Sequence, residues 1–364
     1  MIDAAALLPL LVGAAVAAGA TGAVRALAVR RGVVDVPDPA RRLHTAPVPR
    51  LGGVGIAAGL AAALLVRTLQ PTGDLDWLEA PSRACLPHVV LVLAAAFVVG
   101  FVDDLRPRGR GLPPLVKLAL QAGVGALAVF VADVRFDVDA WGPWGALPLG
   151  NSGAVSAALT VAWFVAVINV VNFMDGSDAI VATLAIVILA AAGGEQPVAA
   201  AGVLVPLAAA VFGFVGWNAP PARIFMGDGG SHLLGAAIAL APCAKLDPAG
   251  QIEVPGAPWV LVGAALLPSI LDVAGALLHK GRQRIPMSQA HHDHLYQRLV
   301  KATGSHGIVA LRYGVLTLLA VLVVGPLAQA AGATAACAVG GAILLAHGVE
   351  GRRRARGVAR LGGS

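Results

Sequence analysis

The chain is a succession of long apolar runs separated by short segments rich in Gly, Pro and charge, the rhythm of a polytopic helical membrane protein. A span needs roughly 20 predominantly apolar residues. Against that length the sequence offers eleven candidate spans, at about residues 4 to 24, 52 to 69, 87 to 102, 112 to 132, 153 to 173, 179 to 192, 198 to 217, 231 to 245, 258 to 278, 307 to 327 and 331 to 348. The expected fold is all-α: a bundle of about eleven transmembrane helices forming one domain over residues 1–348, with a basic tail over 349–364. The first run has no basic leader and no small-residue cleavage site before Arg25, so it reads as a retained span and not a signal peptide. Composition agrees: 58% of the 364 residues are hydrophobic and 13% charged, whereas soluble domains have about 45 to 50% and about 25%. Those proportions exclude an ordinary soluble globule, and they exclude disorder. Cys85, Cys243 and Cys337 lie far apart with no CxxC pair, so neither a disulfide framework nor a thiolate metal site is indicated.

Charge sets the direction. Of the 26 Lys and Arg, 20 fall in one alternating set of segments: Arg25 to Arg50, Arg106 to Arg110, Arg223, Lys280 to Lys301, and the tail Arg352 to Arg360. The opposite set holds 4, namely Arg67, Arg83, Arg135 and Lys245, and Lys117 and Arg312 fall inside spans. The positive-inside rule places the first set in the cytoplasm, with the N-terminus outside and the C-terminus inside, as an odd span count requires. The net charge of +6 is then a topogenic signal, and the RRRAR tail is free to touch anionic headgroups. No aromatic residues interleave with the basic ones, so no nucleic-acid partner is expected.

Ionisable groups at membrane depth are costly and mark function, and here they are gathered. VVGFVDDLRPRGRG carries Asp103 and Asp104 at the end of the third span, and VINVVNFMDGSDAI carries Asn169, Asn172, Asp175 and Asp178 at the end of the fifth. NAPPARIFMGDGGSHLLG, between spans seven and eight, carries Asp228, and RIPMSQAHHDHLYQRL, between nine and ten, carries His291, His292, Asp293, His294 and Arg298. Taken singly these are a solvated helix end, a turn, a tight loop and a surface loop. All four, however, fall on the cytoplasmic side. So many carboxylates at one interface need a cation, and Mg²⁺ is held by one or two carboxylates together with substrate phosphates. Arg and His supply the matching donors for pyrophosphate oxygens. Lys117, about a turn inside the fourth span, needs a partner, and Asp103 and Asp104 are the nearest in the topology. Gly55 and Gly59 form a small-xxx-small pattern suited to helix packing, and Trp77, Trp141 and Trp144 of the outer loops read as interfacial anchors.

Together, RRLHTAPVPRLGGVGI, GFVDDLR with LVKLALQ, NVVNFMDGSD, FMGDGGSHLLG and HHDHLYQRL, spread over about residues 35 to 310, resemble in order the landmarks of the polyprenyl-phosphate N-acetylhexosamine-1-phosphate transferases. These belong to the superfamily of glycosyltransferase family 4 and phospho-N-acetylmuramoyl-pentapeptide transferase. The resemblance implies a multi-pass enzyme of the bacterial cytoplasmic membrane with its site facing the cytoplasm. There undecaprenyl phosphate attacks the β-phosphorus of a UDP-N-acetylhexosamine, giving the lipid-pyrophosphoryl sugar and UMP. It implies Mg²⁺ as cofactor, with Mn²⁺ as a substitute, and it is compatible with a homodimer. Carried over residue by residue, Asp103 and Asp104 resemble the acidic pair that orients or deprotonates the lipid phosphate, and Asp228 the principal metal ligand, with Asp104 and Asp175 beside it. Asn172, Asp175 and Asp178 resemble the nucleotide and metal-proximal set. His291, His292, His294 and Arg298 resemble the diphosphate donors, with Lys117 in addition, and His44 and Arg50 lie in a loop that borders the site. Direct attack by the lipid phosphate is favoured over a phospho-aspartate, since that phosphate is already a competent nucleophile.

Two details are particular to this chain. The family's DGxDG reads DGSDA here, with Ala179 in place of the second glycine, which implies a different local turn and weakens the carry-over to Asp178. HHDHLYQRL resembles the branch that starts O-antigens more than the muropeptide branch, which points to UDP-GlcNAc or a 6-deoxy sugar such as UDP-FucNAc and the first membrane step of O-antigen or another envelope polysaccharide. The rivals are a secondary transporter, a CDP-alcohol phosphotransferase and a non-catalytic membrane scaffold. A transporter places its charged site near the midplane between internal repeats; here the acids sit at one face and no repeat is seen. The CDP-alcohol signature, aspartates spaced along DGxxAR, is absent, and intact DD, NxxD and GDGGS segments weigh against a scaffold.

Overall fold

The computed structural model describes residues 4–35, 47–70, 80–106, 111–135, 153–195, 198–242, 244–245, 257–284, 294–324 and 327. Among them the α-helices are α1 (Ala4–Arg31), α2 (Gly52–Leu69), α3 (Ala80–Asp104), α4 (Pro114–Phe130), α5 (Gly153–Met174) and α6 (Ile180–Glu195). They continue with α7 (Val198–Asn218), α8 (Gly227–Leu240), α9 (Ala257–Arg282), α10 (Leu295–Thr303) and α11 (His306–Leu319), the last running on into a π-helical turn, Ala320–Val324. Two antiparallel ribbons tie opposite ends of the bundle, β1 (Val34–Asp35) with β2 (Val48–Pro49) and β3 (Val134–Arg135) with β4 (Ala244–Lys245).

Ten of the eleven apolar runs coincide with helices. The eleventh, 331–348, and the tail 349–364 lie outside the described residues, and the eleventh helix is instead α10, a short amphipathic helix within what reads as a loop. Six described helices are long and apolar enough to cross a bilayer: Ala6–Arg31, Gly52–Leu69, Leu86–Asp104, Gly153–Met174, Leu261–Arg282 and His306–Val323. Leu115, Phe130, Leu69 and Phe212 are 80%, 75%, 74% and 68% exposed, an outward apolar surface that a bilayer would cover.

The eighth run needs correction. Its helix does not start at 231 after a loop; it starts at Gly227 and ends at Leu240, which takes Asp228 into the first helical turn. At 14 residues it is about 21 Å long, too short to cross roughly 30 Å of hydrocarbon. Every residue from Gly229 to Leu240 is buried, as expected of a helix apolar on all sides. α8 is thus a central plug enclosed by α2, α3 and α5. The approach to α3 is close enough to require glycine: a Cβ on Gly100 would stand 2.0 Å from the Asp228 carbonyl oxygen. Between α1 and α2, Gly55 and Gly59 lie against Thr21 and Ala17, the packing role expected of that pair.

α5 and α6 are joined by a tight turn over Asp175–Ala179, in which Ala179 has φ +60° and donates its N–H to Asn218 Oδ1 at 2.9 Å. The turn therefore keeps the left-handed geometry that glycine adopts freely, at an expense for alanine of about 1–2 kcal/mol.

Ala179→Gly is therefore expected to raise stability by about 1 kcal/mol, or about 2–4 °C in melting temperature in detergent. Gly100→Val should lower stability by at least about 1–3 kcal/mol, because α3 and α8 must separate. Gly123→Ala on α4, where an added Cβ meets nothing within 4 Å, should leave the melting temperature unchanged or slightly raised.

Candidate active site

Several helix ends meet at one end of the bundle, and α8 begins where they meet. Main-chain bonds set its position: Gly52 N–H donates to Phe225 O at 2.9 Å, Gly53 N–H to Met226 O at 2.8 Å and Phe225 N–H to Pro49 O at 2.8 Å. Asp104, at the end of α3 and 5% exposed, completes the arrangement. Its Oδ1 accepts the Asp228 N–H at 3.0 Å and its Oδ2 the Gly229 N–H at 2.8 Å. The first N–H groups of a helix have no partner within it, so Asp104 caps α8 from a neighbouring helix, and its charge meets the positive end of the helix dipole. Gly227 has φ +76°, and a Cβ there would fall 2.6 Å from Asp104 Oδ2.

Asp228 then faces α4 and α5. Lys117 Nζ forms an ion pair with its Oδ2, while Asn172 Nδ2 donates to Oδ1 at 2.9 Å and also reaches Ser231 Oγ at 2.9 Å. Asp103 lies 3.8 Å from Lys117 Nζ, and its Oδ1 accepts the Leu112 N–H at 2.5 Å, closing the α3–α4 connection. The partner of Lys117 is thus chiefly Asp228, with Asp103 second. One turn deeper, Gln121 and His232 are fully buried. Asn169 Nδ2 donates to Val165 O at 2.7 Å and Gln121 Oε1 at 2.6 Å, and Gln121 Nε2 lies 3.0 Å from His232 Nε2. This second tier ties α4, α5 and α8 together beneath the first.

A cavity of about 230 Å³ opens beside Asp228, lined among others by Asp35, Arg50, Asp104, Asp175, Asp178, Gln297 and His306. Arg50 Nη2 donates to Arg106 O at 3.2 Å, and its Nε is buried without a hydrogen bond. Asp178 is occupied: Oδ2 accepts the Ala222 N–H at 3.0 Å and Oδ1 lies 3.5 Å from His306 Nδ1. Asp175 is half-buried and, among the described residues, its carboxylate has no hydrogen-bond partner. Burial, followed by the negative charges of Asp228, Asp104 and Asp178, pushes its carboxyl well above the usual carboxylate range.

The expected residues thus divide. Asp103, Asp104, Lys117, Asn172 and Asp228 form one connected set, and Arg50, Asp175 and Asp178 join it around the cavity. His294 and Arg298 are placed differently from expectation. His294 is 6% exposed, with Nδ1 3.0 Å from Asp272 Oδ1, and Arg298 is exposed while its neighbour Gln297 lines the cavity. His44, His291 and His292 lie outside the described residues.

Asp272 repeats the role of Asp104. From within α9 it accepts the Leu295 N–H at 3.0 Å and the Tyr296 N–H at 2.9 Å, capping α10, and Tyr313 Oη donates to it at 2.5 Å. Tyr296 Oη donates in turn to Phe173 O at 3.1 Å, docking α10 on the end of α5. Sequence reasoning missed Asp272, Gln121, His232, Gln297 and His306. Asp272 was detectable as an acid within an apolar run, and Gln121 and His232 as polar residues four positions beyond Lys117 and Asp228.

Comparison with known proteins identifies the family. Residues 86–244 match the family described as Glycosyl transferase family 4. The decaprenyl-phosphate N-acetylglucosaminephosphotransferase of Mycolicibacterium smegmatis is 31% identical over 318 residues, 79% of this chain and 73% of the relative. The probable undecaprenyl-phosphate N-acetylglucosaminyl 1-phosphate transferase of Bacillus subtilis is 26% identical over 297 residues, covering 80% and 76%. The undecaprenyl-phosphate alpha-N-acetylglucosaminyl 1-phosphate transferase of Yersinia pestis is 29% identical over 288 residues, covering 75% and 72%. With the acidic cluster inside the matched region and the similarity extending over most of both chains, this protein belongs to glycosyl transferase family 4, among the polyprenyl-phosphate N-acetylhexosamine-1-phosphate transferases.

Proposed function

We propose that the protein transfers an N-acetylhexosamine 1-phosphate from a UDP-sugar to undecaprenyl phosphate or a related polyprenyl phosphate, with release of UMP. The observation that carries this reading is the convergence of Asp104, Asp175, Asp228 and Arg50 on one cavity, with Lys117 against Asp228. UDP-GlcNAc is the first donor to consider, because the relatives are named for N-acetylglucosamine; UDP-FucNAc is the second. The product would begin a cell-envelope polysaccharide, O-antigen being one, at the cytoplasmic face of the inner membrane.

Mg²⁺ is the proposed cofactor. Among the described residues no three His, Cys, Asp or Glu form a closed cage, and Mg²⁺ in phosphate-transfer sites relies on one or two carboxylates and the substrate's own phosphates. Asp175 fits such an open site, since an unpartnered carboxylate among other acids is stabilised in its ionised form by a nearby cation. Asp228 would be the second ligand. When bound, the metal supplies neutralisation of charge on the transferring phosphoryl group. Lys117 and Arg50 provide cations for phosphoryl oxygens, and Asn172 and Lys117 keep Asp228 oriented. Direct attack by the lipid phosphate is supported by the engagement of the other acids: both oxygens of Asp104 accept main-chain N–H groups, and those of Asp228 bond Lys117 and Asn172.

Purified protein with undecaprenyl phosphate, UDP-GlcNAc and Mg²⁺ should release UMP only when all three are present, and EDTA should abolish release. Asp228→Asn should lower kcat by about 10²-fold or more; unchanged turnover would remove this acidic cluster from the chemistry. Asp104→Asn, whose amide offers one acceptor to two N–H donors, should lower both turnover and melting temperature. Since a metal binds only the ionised form of Asp175, the acidic limb of the pH–rate profile should move to lower pH as Mg²⁺ is raised, by about one unit per tenfold above half-saturation.

A further inference from the structure

His306 opens α11, with Ser305 as N-cap accepting the Ile308 N–H at 3.3 Å. Its ring reaches the turn after α5, where Nδ1 lies 3.0 Å from Ser177 Oγ and accepts the Asp178 main-chain N–H at 3.3 Å. A main-chain N–H can only donate, so Nδ1 is the acceptor and the proton of the neutral ring is carried on Nε2. His306 also lines the cavity beside Asp228. With the Nδ1 edge held by the turn, Nε2–H is the group this residue offers to a ligand.

The surroundings indicate what kind of ligand. Asp178 Oδ1 is 3.5 Å from the ring and Asp175 lines the same cavity. Two carboxylates repel the charged oxygens of a diphosphate but leave an uncharged carbonyl acceptable. Gln297 of α10 lines the cavity too, and its Oε1 is buried with no hydrogen bond. A buried acceptor without a partner is unfavourable until something donates to it. A donor on His306 and an acceptor on Gln297 together match an amide group, which presents both C=O and N–H.

We propose that His306 and Gln297 form an amide-recognising wall of the cavity, contacting the N-acetyl group or the uracil ring of the nucleotide sugar. This rests on the transferase reading above and extends it to residues outside the acidic set. The test measures KM in UMP release and, by calorimetry with Mg²⁺, the affinities for UDP, UDP-GlcNAc and UDP-glucose, which lacks the N-acetyl group. His306→Asn keeps an acceptor near the Nδ1 position and removes the Nε2 donor; His306→Gln restores a donor near Nε2 and gives up the tie to the turn. We expect His306→Asn to weaken UDP-GlcNAc binding at least tenfold at unchanged melting temperature, and His306→Gln to recover part of the loss. Gln297→Leu should weaken binding similarly without lowering the melting temperature. Loss confined to UDP-GlcNAc assigns the wall to the N-acetyl group; loss shared with UDP and UDP-glucose assigns it to uracil. Wild-type affinity in both His306→Asn and Gln297→Leu overturns the proposal. So does a pattern in which His306→Gln is the weaker binder and melts lower, since the histidine then only holds the turn. Wild-type protein that neither binds uridine nucleotides nor releases UMP overturns the transferase reading, and this one with it.

Discussion

The two main-chain N–H groups held by Asp104 decide where α8 begins, and the rest of the site follows from that position. α8 is too short to cross the membrane and is buried along its length, so its first turn ends inside the protein and not in water. Buried N–H groups require acceptors, and the N-cap residue, Met226, supplies no side-chain acceptor. Asp104 provides the acceptors from α3, and Gly100, one turn earlier on α3, lets the two backbones approach closely enough for it to do so. Once the cap is in place, Asp228 is directed at Lys117 and Asn172.

The same solution appears at α10, where Asp272 accepts two successive N–H groups and carries His294 on one oxygen. Each short helix at this end of the bundle is therefore anchored by a carboxylate from a neighbouring transmembrane helix. An aspartate in the acidic cluster can thus serve as a helix cap. Asp104 and Asp178 are both engaged by main-chain N–H groups, whereas the Asp175 carboxylate has no hydrogen-bond partner among the described residues.

Much of this was legible in the sequence. Ten apolar runs became helices because length and hydropathy alone determine them, and the acidic motifs stood out because charge is rare in such a chain. The boundary of α8 was misjudged because polar GDGGS resembles a loop by composition, whereas a cap from another helix makes it a helical first turn. α10 was missed because nine mixed residues carry no apolar run. Ala179 was expected to alter its turn, yet the bond from its N–H to Asn218 holds the left-handed conformation without glycine.

The sequence by itself determined the membrane class, the helical architecture, the likeness to a transferase family and the set of acids from which a site is built, because those properties depend on local composition and ordered motifs. The tertiary structure decided which partner each acid has. Residues as far apart as Asp104 and Asp228, or Asp178 and His306, meet only when helix ends converge, and whether a carboxylate binds a main-chain N–H, a lysine or nothing depends on that convergence.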